Sequence, residues 1–109
     1  MSFKFMLVRE AGEPPFDQPA IVFSETTSPG LVPLWEAVGI YDLLYNSDGC
    51  MARDVSRDLA YGLDRIIHEP ALARMLPPAQ GGSMSEAVRF LENVVRGCTR
   101  HASARIQTS

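Results

Sequence analysis

From Phe3 to Val8 the residues alternate in the manner of a strand: Phe3, Phe5 and Leu7 share one face, and Lys4, Met6 and Val8 the other. Only Lys4 is polar there, so partial cover on both faces is expected. Ala20 to Phe23 is a short, β-branched apolar run and reads as a second strand. The stretch between them, Glu10 to Pro19, carries Pro14, Pro15 and Pro19 and reads as a loop, because proline removes ladder donors. Two such strands suit antiparallel pairing, and a lone hairpin needs helices or another strand to cover it.

The spacing then changes from two to between three and four. Ser28-Pro29 suits a helix start, with Pro33 as a later entry point, and the apolar pattern runs from Leu31 to about Tyr45. Asn46-Ser47-Asp48-Gly49 is a turn. A second helix is expected over roughly Cys50 to Ile67, with Val55, Leu59, Leu63 and Ile66 in one stripe and charged residues opposite. Pro70 ends it and opens a short helix, Ala71 to Leu76; Pro77 to Gly82 is a loop by composition. Ser83 and Glu86 match a capping box, opening a last helix from Met84 to about Ala102. Its buried stripe is Met84, Ala87, Leu91, Val94, Val95 and Cys98.

These elements predict a small, helix-dominated α+β domain: a two-stranded N-terminal β element, then three main helices and one short one. The 109 residues form one domain, with a strand and loop region over 1–27, a helical region over 28–102 and a flexible tail over 103–109. At 46% hydrophobic and 21% charged residues, general disorder is excluded. No apolar run is long enough for a bilayer or a secretory signal, and two cysteines without such a signal imply free thiols and a cytoplasmic setting.

Charge divides unevenly. Residues 1–50 hold seven acids against Lys4 and Arg9, a balance of −5; residues 51–109 hold eight arginines against six acids, a balance of +2. The net charge of −3 disfavours general nucleic-acid binding. The asymmetry suits either internal packing of the two halves or an acidic face for a basic partner.

On a helical wheel of Leu31 to Tyr45, Trp35 and Leu43 lie off the broad apolar arc, beside Glu36, Gly39 and Asp42. An aromatic and a leucine rimmed by acids resemble an interface anchor, so Trp35, Glu36, Gly39, Asp42 and Leu43 are the candidate partner-binding residues. The competing reading covers this side with the N-terminal strands and buries the helix all round.

Other chemistry is thinner. Cys50, near a helix start, would need a base: His68 lies at the far end of the same helix, about 27 Å away at 1.5 Å per residue, which leaves His101 from a neighbouring helix, and the plainer reading is a structural cysteine. Cys98 sits on an apolar stripe and reads as a buried hydrophobe. Asp54 and Asp58 lie one turn apart among Arg53, Arg57 and Arg65, a solvated charged face rather than a metal site. No catalytic residues, metal or cofactor are expected. The sequence therefore points to a small cytosolic, non-catalytic protein that binds one protein with a basic surface, in the manner of an inhibitor, antitoxin or immunity protein, or associates with itself. The alternative is a small enzyme or ligand-binding domain with Tyr41, Tyr45, Arg53, Arg57 and His68 in a pocket between helices. A third reading is nucleic-acid contact through Arg89, Arg96 and Arg100 on the last helix.

Overall fold

The computed structural model describes residues 2–9, 19–76 and 83–109. The architecture is α+β and helix-dominated: strands β1 (Phe3–Arg9) and β2 (Ala20–Thr27), short helices α1 (Val32–Ala37) and α2 (Tyr41–Tyr45), long helices α3 (Ala52–His68) and α4 (Met84–Arg100), and strand β3 (Arg105–Thr108). Two 3-10 stretches, Pro29–Leu31 and Pro70–Met75, precede α1 and follow α3. The expected proline loop over 10–18 and the loop over 77–82 lie outside the described residues.

β1 pairs antiparallel with β2 from Phe3↔Thr27 to Arg9↔Ala20, with a bulge between Leu7 and Val8. The extra residue there is Val22, since Leu7 faces Phe23 and Val8 faces Ile21. β2 is twice as long as its apolar run, because Ser24 to Thr27 pair with Met6 to Phe3 despite their polarity. Phe3, Phe5 and Leu7 are buried, as their alternation implies.

The tail is the main departure from the sequence reading. Residues 105–108 form β3, antiparallel to β1 from Phe5↔Thr108 to Val8↔Arg105, so the sheet order is β2-β1-β3. The flexible tail over 103–109 is thus corrected. Ala104 and Ile106 are buried, and β3 is held on its second side by the turn before α3. Gly49 N–H donates to Ile106 O (2.9 Å), Ile106 N–H to Cys50 O (2.9 Å), and the Asp48 carboxylate accepts from Thr108 N–H and Oγ1. Gly49 takes φ +86° in that turn, a conformation glycine adopts without steric penalty.

α3 and α4 pack together and α4 lies across β2 and β1. α3 buries Val55, Leu59, Gly62 and Ile66, and α4 buries Ala87, Phe90, Leu91, Val94, Gly97 and Cys98. Two glycines set the approach of neighbouring elements. A Cβ on Gly97 would stand 2.7 Å from the Phe23 ring, and one on Gly62 would stand 2.7 Å from Ile40. The expected capping box is half formed. Ser83 Oγ accepts from Glu86 N–H (3.1 Å), but the Glu86 carboxylate instead accepts from Thr27 Oγ1 (2.8 Å) and Ser28 N–H (2.9 Å), tying α4 to the end of β2. The Ser28 and Thr27 bonds hold the Glu86 carboxyl below its usual range.

Candidate functional site

The single helix expected from Leu31 to Tyr45 is broken at Gly39, which takes φ +78°. Ile40 N–H donates to Trp35 O (3.0 Å) and Gly39 N–H to Glu36 O (3.2 Å). This pair of bonds is the Schellman stop, with glycine at the left-handed position. Gly39 therefore serves as a helix terminator.

A continuous wheel assumes one unbroken helix, so it does not apply across the break between α1 and α2. Trp35 is 0% exposed, packed beside Phe90 at 5.9 Å between ring centroids. The reading of Trp35 as an exposed anchor is corrected: it is a core residue, and the alternative in which this side of the helix is covered describes it. Leu43 is half-buried against the core, while Glu36, Gly39 and Asp42 are exposed. Asp42 accepts from Asn46 Nδ2 (2.7 Å), a local bond closing α2. The five residues thus divide between a core tryptophan, a packed leucine and an exposed acidic edge.

The proposed convergence of Tyr41, Tyr45, Arg53, Arg57 and His68 is not formed. Tyr41 stacks on Tyr45 (4.7 Å) and Tyr45 on Phe3 (3.9 Å), an aromatic stack at the edge of the core. Burial, and then the neighbouring Tyr41, push the Tyr45 hydroxyl above its usual range. Arg57 and His68 are exposed on α3, and His68 Nδ1 lies 2.9 Å from Asp64 O and 3.2 Å from Asp64 Oδ1 in its own last turn. The cysteines are free. Burial pushes the Cys98 thiol up to about 12, which removes it as a nucleophile. Cys50 is exposed but precedes α3, whose first N–H groups, on Ala52 and Arg53, already donate to Ala104 O and Ala102 O. Asp54 and Asp58 are exposed, and no group of three metal-ligating side chains occurs among the described residues.

Two concave surfaces stand out instead. The first is a groove of about 680 Å³ between the end of α3, the 3-10 stretch after it and the start of α4. Ile66, Ile67, Pro70, Ala73, Met84 and Val88 make its apolar wall, with Arg89 and Glu92 on the rim. Ile67 is 52% exposed, a large apolar side chain left toward water, and Met75 on the same 3-10 stretch is 45% exposed. Periodicity hides this groove, since Ile67 sits off the α3 stripe and its significance depends on α4 lying alongside.

The second is a cavity of about 510 Å³ where the end of β1, the start of α3 and the end of α4 meet. Arg9, Arg53, Arg100 and His101 line it together with residues Ala102 to Ala104. Arg53 and Arg100 are forty-seven positions apart in the chain and meet because the Ala102 and Ala104 carbonyls dock on α3. The Arg stripe expected on α4 is thereby divided: Arg100 enters this cavity, and Arg96 pairs with Glu92 (3.5 Å) in its own helix. No helix among the described residues is long and apolar enough to cross a membrane. Comparison with family models, with curated proteins and with solved structures returns no match.

Proposed function

We propose that this is a small, non-catalytic binding protein whose partner is another protein, engaged through the groove between α3 and α4. The observation that carries the reading is the exposed Ile67 beside the apolar wall of Ile66, Pro70, Ala73, Met84 and Val88. An apolar trough with a charged rim suits the nonpolar ridge of an amphipathic segment. The partner's flanks are taken as basic because Glu92 lies on the rim and α1, with exposed Glu36, packs on the 3-10 stretch that walls the groove. The acidic edge of Glu36 and Asp42 then acts as a steering rim, a role that needs no exposed Trp35. Masking a basic partner in a cytoplasmic setting, as an inhibitor, antitoxin or immunity protein does, is the biological form this reading takes.

The test uses a helical peptide of leucines and lysines as the probe. It should perturb amide resonances of Ile67, Ala73, Met84 and Val88, and Ile67→Lys should weaken it about tenfold or more. Lysine in the last turn of α3 suits the helix dipole, so the fold is kept while a basic ligand is repelled. Perturbations confined to another surface, or equal affinity for Ile67→Lys, overturn the reading. Light scattering on the chain alone distinguishes self-association, in which Ile67→Lys would convert a dimer to a monomer.

A further inference from the structure

We propose that the cavity at the junction of α3 and α4 binds a small phosphate-bearing anion. It goes beyond the protein-binding reading and uses none of the groove residues. In a chain whose net charge is −3, this concavity is lined by Arg53, Arg100 and His101, with Arg9 at its β1 end, and no carboxylate occurs among the described residues that line it. Arg53 and Arg100 carry the argument. Two other arginines on the same helices are neutralised one turn away: Arg65 pairs with Glu69 (2.8 Å) and Arg96 with Glu92 (3.5 Å). Arg53 and Arg100 have no acid three or four positions to either side. Among the bonds of the described residues, the Arg53 guanidinium makes a long contact to Met51 sulfur (3.5 Å).

Two guanidinium groups brought to one concavity repel each other, and a multiply charged anion relieves that repulsion. Arginine forks match phosphate oxygens in pairs, giving short, charge-assisted bonds. The site is also held in advance of binding. Ala52 N–H and Arg53 N–H donate to Ala104 O and Ala102 O, both at 2.9 Å, which fixes the start of α3 against the chain leaving α4. β3 then anchors that chain to β1, whose end carries Arg9. Fixing the backbone that carries the cations lowers the ordering cost of binding. At about 510 Å³ the cavity is within the size range of small-molecule sites, large enough for a pyrophosphate or a mononucleotide.

The experiment is calorimetric titration of the full chain with inorganic pyrophosphate at near-physiological salt. The expected result is saturable one-site binding that Arg53→Gln and Arg100→Gln each weaken about tenfold or more, with Arg57→Gln unchanged. Arg57 is the control because it is exposed on α3 but lies outside the cavity lining. Arg53 and Arg100 are exposed, so their substitution spares the core. Amide shifts in the wild-type protein give a readout that needs no variant: Arg53, Arg100, His101 and Ser103 should move together. Absence of saturable binding overturns the proposal. So does an equal loss in Arg57→Gln, which marks diffuse charge, and so does tight binding of duplex DNA with no binding of pyrophosphate.

Discussion

Replacing Trp35 by alanine separates a core residue from a surface anchor in one measurement. The side chain is 0% exposed and packs beside Phe90, itself in edge contact with Phe3 at 6.3 Å. Its removal strips a fully buried aromatic from a core that includes Leu31, Leu34 and Phe90, and a close-packed core refills such a hole only in part. The expected cost is about 3–5 kcal/mol. A domain of this size is stable by roughly 5–15 kcal/mol, so the variant loses a large share of that margin. One opposing effect is visible: Trp35 Nε1 is buried without a hydrogen-bond partner among the described residues. Trp35→Phe removes that unpaired donor while keeping a ring, so it should cost markedly less than Trp35→Ala, about 1–2 kcal/mol, with part of the lost packing offset. Urea denaturation followed by far-UV circular dichroism measures both, since Trp35 is the sole tryptophan and its fluorescence disappears with it. A near-native midpoint for Trp35→Ala with unchanged slope would refute the packing argument. A Trp35→Phe loss as large as that of Trp35→Ala would refute the role given to the unpaired N–H.

Glu86→Gln should cost about 1 kcal/mol at pH 7, because the carboxylate that binds Thr27 and Ser28 is only partly shielded from water. Its folded pKa is depressed, so its contribution is full above the unfolded value of about 4.3 and is lost as pH falls through the lower folded value. The stability gap between wild type and Glu86→Gln, measured in urea, should therefore close at low pH; a gap independent of pH would sink the assignment. Ile106→Ala should cost about 2–4 kcal/mol, since Ile106 is 2% exposed and its strand is bonded to both β1 and the turn before α3. Hydrogen exchange gives the companion readout: Ile106 N–H should be protected to nearly the global stability, and rapid exchange there would show a frayed tail after all.

The features legible in the sequence are those that local periodicity encodes. The alternation of Phe3, Phe5 and Leu7 and the stripe of Val55, Leu59 and Ile66 each bury against the core. Ser83 caps α4 where its spacing to Glu86 places it. The features that escaped depend on partners distant in the chain. β3 has only Ile106 and the preceding Ala104 to bury, too little to stand out, and it forms because Asp48 to Cys50 and Phe5 to Val8 supply hydrogen bonds on both sides. Glu86 abandons the second half of its capping box because the end of β2 offers it the Ser28 N–H and the Thr27 hydroxyl.

The misplacement of Trp35 has a sharper cause. A wheel drawn from Leu31 to Tyr45 assumes a constant 100° per residue, and a left-handed residue resets that phase. Gly39 sits where a Schellman stop would place it, so the segments on either side of it project onto separate wheels. Projected alone, α1 is six residues long, and Leu34 and Trp35 are both buried. So short a segment has too few turns for its periodicity to separate one buried stripe from burial on several sides. The acidic rim drawn around Trp35 survives only as exposed Glu36 and Asp42. The same logic locates the basic cavity. Arg53 and Arg100 are each unremarkable on their own helices, and only the docking of residues 102–104 on the start of α3 brings them together. In a domain this small, the surfaces with chemistry to offer are set by where long-range hydrogen bonds close the chain, and helix wheels record only half of that geometry.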